Sequence, residues 1–475
     1  MATVYFTNNA DSGDGSLRAA LAAANPGDVI TYDDTAFASD YTVAISLSSL
    51  LQFTKEVTID GRAKRIVLDG QGASRIASLS ASVVLKQLDI IRGYSTSSFS
   101  GGVHATGGTS VLEKCRLCGC YSGFYGSAAY ILGGSITFRD CIIAGNRTSG
   151  VQLTSAAIRT YTSCSATLVR CTAIGDTQRA LSAATAGSIT VQDSLVQGVE
   201  NVAGVTSITP SSAGFVTPCP DTIDPESWTN TLWQSWDFRL KPTSPYLTGA
   251  AYQSGDKDLL GHDRTGSWGC FDGSWLVVGA SGAETVASDA AVDWLEVAST
   301  GVLTLSGADR ILTVSRGVFV ETGAAITSSS RGYLAVPSLT DVANATIAET
   351  VRVCEYSAGV LDVSATINED LATITVTKTQ DKAVVVEGSN DGGVSWSPCV
   401  LVENSTTLPS AKAYKFRVFD GKKFIETQVI ARTYYYVSQL PEGDFAEPSD
   451  WSLDKAGTKV CTDAPTIADG TFDCR

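Results

Sequence analysis

Residues 111–120 read VLEKCRLCGC, residues 136–146 read ITFRDCIIAGN, and residues 166–176 read ATLVRCTAIGD. Each phrase alternates apolar and polar positions and closes on Gly, Asn, Asp or a Gly-Cys pair, the pattern of a short strand running into a turn. The phrase recurs in both directions, as VTIDG (57–61), IVLDG (66–70), VVLKQLDIIRG (83–93) and ITVQDSLVQG (189–198). Matching an apolar residue with the residue three positions later stacks Leu85/Leu88, Leu112/Cys115, Phe138/Cys141, Leu168/Cys171 and Val191/Ser194. The second members lie 27, 26, 30 and 23 residues apart. One such strand per period in the twenties is the signature of a solenoid. A single coil cannot bury its apolar face alone, whereas stacked coils form parallel sheets around a continuous interior. Cys115, Cys141 and Cys171 then point inward on successive rungs, as a column of reduced thiols filling a narrow core.

A solenoid must protect its ends, because an uncovered coil exposes apolar side chains and unpaired strand edges. The segment TNNADSGDGSLRAALAAANPGDVITYD (7–33) supplies a lid for the first coil. Leu17, Ala20, Leu21 and Ala24 share one helical face. Ser16 or Asp14 caps the start, and Asn25-Pro26-Gly27 ends the helix. Leu17 and Leu21 are the expected cap residues.

At this point the residues carry a resemblance. The 7–33 phrase resembles the N-terminal cap of bacterial right-handed parallel β-helix proteins, surface and secreted chains of pectate-lyase-like fold. A second phrase, WDFRLKPTSPYLTGAAYQSGDKDLLGHDRTGSWGCFDGSW (236–275), resembles the segment that closes such helices. The match runs through Asp237 to Leu240, Ser244-Pro245, Asp258, Gly261, Arg264 and Gly269. The resemblance covers about residues 3–275. It implies an all-β fold, a capped right-handed parallel β-helix over 1–275 whose far end the 236–275 phrase closes. It implies no particular activity, since this fold carries lyases, hydrolases, adhesins and viral spikes alike.

The rest of the chain reads as smaller β-units. Residues 276–349 have very short strands with frequent Gly, either a second, narrower solenoid or a small sandwich. Residues 350–437 hold seven strand-like runs, at 361–367, 371–377, 382–387, 395–402, 412–419, 424–430 and 433–437, the count and spacing of an immunoglobulin or fibronectin type III β-sandwich. SNDGGVSW (389–396) matches the Asp-box of sialidases. As a lone copy it is a hairpin device, with Asp391 and the glycines forming the turn and Trp396 packing beneath. Residues 438–475 form an acidic tail with little periodicity. Its spaced anchors Phe445, Trp451, Leu453 and Phe472 suit docking on a neighbouring surface. Cys461 and Cys474 can close a loop there in an oxidising compartment.

Composition narrows the function. The chain has 475 residues, a net charge of −15 and only 17% charged residues. An acidic chain repels nucleic-acid phosphates, so no nucleic acid is expected as a partner. No apolar run reaches membrane-spanning length, so no insertion is expected. Residues 1–30 lack a basic n-region and an apolar h-region, so no secretory signal is expected in this stretch. Of the twelve cysteines, Cys115, Cys118 and Cys120 cluster. No second Cys pair or nearby His completes a tetrahedral zinc site, so no metal is expected.

Catalytic constellations are also not expected. Asp33 and Asp34 are adjacent and so face opposite ways on a strand. Asp60 and Asp69 end strands as turn residues. Lys114, Asp140, Arg170 and Asp193 form an alternating-sign stripe, expected to face out as a solvated ladder. His104 is expected in a Gly-rich loop, and His262 lies in the closing phrase. Two distant histidines build neither a triad nor a His-based metal site. His104 in GVHATGG resembles the Gly-His-Gly of polygalacturonases only loosely, and the family's Asn-x-Asp and Arg-x-Lys partners are missing. Aromatic residues in Ser/Gly loops are the more suggestive feature. Tyr94, Tyr121, Phe124, Tyr125 and Tyr130 are the expected carbohydrate or partner contacts, although rings of this kind also pack against coils.

The expected function is therefore a non-catalytic structural or attachment protein. It would be displayed on a phage virion or bacterial surface, with no cofactor, assembling with copies of itself or neighbours. The alternatives are a secreted polysaccharide lyase or hydrolase, for which alone Ca²⁺ would be needed, and a carbohydrate-binding adhesin.

Overall fold

The structure, a computed structural model, describes all residues except 41, 98, 150–154, 178, 186–187, 359, 369–370, 392, 401–404, 410–412, 429, 437–450, 453–469 and 475. It is all-β, 5% helical, and contains about 12 turns of parallel β-solenoid. The chain divides into two compact units, Met1–Trp275 and Leu276–Arg475.

In the first unit one coil runs as follows. Strand Val83–Lys86 turns at Gln87 into Leu88–Ile91, then at Arg92 into Tyr94–Ser95. A loop leads to Val103–Glu113, a long strand that passes into the first face of the next coil. Successive coils pair in parallel, so Leu85, Leu112, Phe138, Leu168 and Val191 stack in register, as the repeat predicts. The corner before each second strand is left-handed. Gln87, Lys114, Asp140, Arg170 and Asp193 have φ of 55°, 54°, 53°, 52° and 49°. A non-glycine residue in this region costs about 1–2 kcal/mol. Coil-to-coil hydrogen bonds offset it: Gln87 N–H donates to Glu113 O at 2.9 Å, Lys114 N–H to Arg139 O at 2.8 Å and Asp140 N–H to Val169 O at 3.0 Å.

Inside the corners lies one continuous apolar core that includes Leu85, Leu112, Phe138, Leu168, Cys115, Cys141 and Cys171. The three thiols are free and buried, and donate to Leu85 O, Leu112 O and Phe138 O of the preceding coil. The neighbouring cysteines diverge. Cys118 faces outward into a separate core, while Cys120 donates to Ile90 O. A shared metal site is therefore not assembled from Cys115, Cys118 and Cys120.

The helix Leu17–Ala23 starts at Ser16, whose hydroxyl accepts from Ala19 N–H at 3.2 Å. Leu17, Ala20, Leu21 and Ala24 join the interior core. Gly27 takes φ +88° to turn the chain into strand Asp28–Tyr32. The Asp28 carboxylate holds this corner by accepting from Ala2 N–H at 2.6 Å and Asn25 N–H at 3.0 Å.

The phrase at 236–275 behaves differently from its expected role. It does not close an end. Together with the preceding residues from Ile208 it lies along the outer wall formed by Arg116–Cys118, Ile142–Ala144, Thr172–Ile174 and Leu195–Val196. Phe215, Phe238, Leu240 and Phe271 cover Cys118, Ile142, Ile174 and Leu195, making a second core outside the coils. Five of the outward residues, Cys118, Ile142, Ala144, Ile174 and Leu195, are apolar, so this part of the wall cannot be left in water.

This strap also corrects the solvated ladder. Asp140 is 2% exposed, and its carboxylate accepts from Arg170 Nε at 3.0 Å and from Arg264 Nη2 at 2.5 Å. Arg264, on the strap, is itself buried. Asp193 is half-buried and accepts from Ala251 N–H at 3.1 Å. A corner that faces out from the coils thus becomes interior once the strap lies on it.

In the second unit, Trp275–Val278, Ala290–Val297, Arg310–Val320, Gly332–Val336 and Val351–Glu355 form one sheet. Ala283–Val286, Val302–Leu305, Ala325–Ser328 and Thr346–Ile347 form another. Neighbours pair in parallel, as in a second solenoid, and several strands are longer than expected, up to the eleven residues of Arg310–Val320. Beyond it two sheets follow, one of Val360–Asn368, Leu371–Lys378 and Ser405–Pro409, the other around Val385–Ser389 and Ala413–Phe419; these strands pair antiparallel, while Ile430–Tyr436 and Gly470–Cys474 pair in parallel, and Ile374, Val376, Val386, Phe416 and Val418 form a shared core. Asp391 accepts from Val394 and Ser395 N–H at 3.0 and 2.9 Å, and Trp396 lies 4.4 Å from the Arg417 guanidinium. Of the tail anchors, Trp451 is buried on the short strand Trp451–Ser452, and Phe472 falls in strand Gly470–Cys474. Phe445, Leu453 and Cys461 lie outside the described residues.

Two outcomes follow. The Leu17→Asp, Leu21→Asp double variant places two carboxylates in the capped end and loses about 1.5–3 kcal/mol of burial per leucine before any charge penalty. Light scattering should show aggregation; a soluble variant with unchanged melting rules out the lid. Asp140→Ala leaves Arg170 and Arg264 buried without their shared carboxylate and should cost about 3–5 kcal/mol. Limited proteolysis should then cut first within 208–271, and cleavage elsewhere first argues against a strap.

Candidate functional site

The side of the solenoid between the short strands and the long strands carries the expected aromatic residues. Tyr94–Ser95, Tyr121–Ser122 and Arg147–Thr148 form a small parallel sheet in which Tyr94, Tyr121 and Arg147 stand in register. In-register stacking brings the Tyr94 and Tyr121 rings to 4.8 Å with 14° between planes. Arg147 continues the stack, 5.9 Å from Tyr121 and 5.8 Å from Trp228, which the strap brings beside it.

A second row is built on the long strands. Ser78, His104, Tyr130, Arg159 and Ser182 are cross-strand neighbours whose side chains face away from the core. His104 therefore lies on strand Val103–Glu113 and not in a loop. The Gly-rich flanks that suggested a loop belong to close coil contacts. A Cβ at Gly102 would stand 2.4 Å from Ala128 O, so only glycine allows that approach. The loops fold back over this row. Phe99 covers His104 at 4.8 Å, and Tyr125 stacks on Tyr130 at 5.1 Å. His104 and Tyr130 lie 5.8 Å apart and nearly parallel. Tyr130 is thus buried packing, Tyr125 is half-buried, and Phe124 is 45% exposed.

Five expected contacts therefore separate into two rows. Tyr94 and Tyr121 belong to the stack that ends in Arg147. Tyr125 and Tyr130 belong to the row over His104, and Phe124 stands at its outer edge. The sequence reading missed Arg75, Phe99 and Arg147. Arg75 lies 4.8 Å over Phe99 and donates from Nε to Ser100 O at 3.3 Å. The available signal was arginine placed among Ser/Thr/Tyr loops with no acid nearby.

Beside Tyr94 the surface forms an open groove of about 440 Å³, lined by Ser74, Arg75, Tyr94, Ser95, Thr96 and Ser97 among others. Its chemistry is an aromatic face, hydroxyl groups and one guanidinium, and no carboxylate lines it. Hydrogen-bonding groups next to a ring face suit a sugar, which is itself apolar on one face and polar at its edge. Among the described residues no group of three His, Cys, Asp or Glu side chains is placed to hold a metal.

Burial, and then the neighbouring Arg75, push the His104 pKa down to about 4. A histidine depressed in the folded state withdraws stability as pH falls from its unfolded value, about 6.5, towards 4. At pH 5 the cost is about 2 kcal/mol. Chemical denaturation at pH 7.5 and 5 should show this loss, and His104→Gln should reduce it. Equal losses in both proteins rule out His104 as the source.

No protein-family model matches the chain, and no curated protein matches it. The parallel β-solenoid stands on the structure, and the pectate-lyase-like resemblance receives no support from either comparison.

Proposed function

We propose that the protein is a non-catalytic attachment or structural component, displayed on a virion or cell surface, that assembles with copies of itself or its neighbours. Its loop-side wall is the face that meets a glycan or partner. The observation that carries this reading is that three carboxylates of the solenoid's coils are committed to arginines. Asp69 pairs with Arg92, Asp89 with Arg65 and Arg116, and Asp140 with Arg170 and Arg264. In each case guanidinium hydrogen bonds occupy the carboxylate oxygens and fix them in place. Carboxylates held in this way are not free to turn towards a substrate, and Asp140 is also buried out of reach of any polymer.

The surface of the same unit supports contact rather than turnover. Phe99 and Phe124 are 40% and 45% exposed on loops beside the tyrosine stack. Rings held by a rigid scaffold lose little entropy on binding. No helix among the described residues is long and apolar enough to cross a membrane.

The test pairs two measurements. Incubation with uronate-containing polymers, with and without Ca²⁺, should release no unsaturated or reducing products. Light scattering of the full chain should give a mass above that of one copy. Product release that disappears in Arg170→Ala would replace this reading with a polysaccharide lyase or hydrolase, and a strict monomer at high concentration would remove the assembly role.

A further inference from the structure

The charge of this chain is unevenly placed. The whole carries 49 acids against 34 bases. Residues 90–192, the central coils, reverse the sign, with eight arginines and lysines against three acids. Of those three, Asp140 is spent between two arginines, Asp176 is buried in a corner, and Glu113 lies 3.9 Å from Lys86. The stretches 114–139 and 141–175 contain no acid at all. They supply the short strands, the loops and the long strands of the aromatic wall.

The arginines on this wall differ from Arg65, Arg92, Arg116, Arg170 and Arg264, which pair with carboxylates. Arg75, Arg147 and Arg159 have no carboxylate partner among the described residues. Each instead lies against a ring: Arg75 over Phe99 at 4.8 Å, Arg147 over Tyr121 at 5.9 Å, Arg159 over Tyr125 at 5.9 Å. Arg75 Nη2 and Arg147 Nε are buried atoms without a hydrogen-bond partner. A guanidinium taken partly out of water without a counter-charge is costly unless a ligand supplies one. Ring contact fixes the guanidinium plane, and the remaining N–H groups, outside Arg75 Nε and the buried Arg75 Nη2 and Arg147 Nε, are left to meet a carboxylate or sulfate.

We infer that the groove at Arg75 and Tyr94, extended along the wall to Tyr121 and Arg147, binds an anionic glycan, a chain of sugars bearing carboxylate or sulfate groups. The inference rests on the attachment reading and names the class of its ligand. Tyr94, which lines the groove, offers the ring face to a sugar, while Tyr121 backs it in the stack. Thr96 and Ser97, both exposed, offer hydroxyl groups to the sugar edge. Arg75 and Arg147 take the charged groups, and no carboxylate lines the groove at Arg75 and Tyr94 to repel them.

The experiment immobilises the full chain and measures binding of dextran sulfate, polyglucuronate and neutral dextran at low and at raised salt. Dextran sulfate or polyglucuronate should bind, neutral dextran should bind at least tenfold more weakly, and raised salt should weaken the anionic polymers alone. Preference between the two anionic polymers identifies sulfate or carboxylate as the recognised group. Arg75→Gln, Arg147→Gln should lose at least tenfold in affinity, while Arg75→Lys, Arg147→Lys should retain part of it. Unchanged binding in the Gln variant with unchanged melting overturns the inference. Equal binding of dextran and dextran sulfate, reduced by Tyr94→Ala, also overturns it and leaves the attachment reading with a neutral ligand. No binding of any of the three polymers overturns the inference too, and the mass and product-release measurements then decide the attachment reading separately.

Discussion

Everything in the first unit depends on one backbone constraint, the left-handed corner between the first and second strand of each coil. The five residues from Gln87 to Asp193 share φ values of 49–55° although they are Gln, Lys, Asp, Arg and Asp. None is glycine, so side-chain convenience did not select the conformation. Stacking selects it, because the N–H groups of Gln87, Lys114, Asp140 and Arg170 each meet a carbonyl of the next coil. A corner in another conformation would rotate the following strand, and its inward residue would leave the core. The column of Cys115, Cys141 and Cys171 holds its register because the residue before each cysteine is such a corner.

That constraint explains what was legible in the sequence. The apolar pairs Leu112/Cys115, Phe138/Cys141 and Leu168/Cys171 repeat because the interior tolerates only small or apolar groups there, so the coils and their register could be read directly. The cap helix was legible for the same reason, through Leu17 and Leu21. The strap was not. Its phrase is recognisable, but where it lies depends on what it must cover. The clue was present in Cys141-Ile142-Ile143-Ala144, an unbroken apolar run. Alternation would have left one face in water, whereas a run of this kind needs cover on both. Asp140 was misplaced as a consequence, since a corner facing out from the coils is solvated only if nothing lies on it.

The wall residues were partly legible. Tyr94, Tyr121 and Tyr125 were recognisable as aromatics in polar loops, but their separation into two rows follows from register between coils. Tyr130 and His104 face away from the core and are nonetheless buried, because the loops fold back on them. The arginines drew no attention in the sequence since an unpaired charge differs from a paired one only in space. The opposite walls of the solenoid thus have different uses for arginine. At the corners and under the strap it pairs with carboxylates, and on the loop side it lies on rings.

The unequal coil lengths have a consequence of their own. Corner residues recur after 27, 26, 30 and 23 positions, yet the strands they separate stay in register. The difference is absorbed in the loops that leave the short strands, where chain can be added or removed without shifting a rung. The scaffold is therefore divided into a part that cannot drift and a part free to diversify. Related chains should preserve the corner spacing within the strands while differing in loop length and loop side chains, so that recognition evolves by exchange of loops on an unchanged frame.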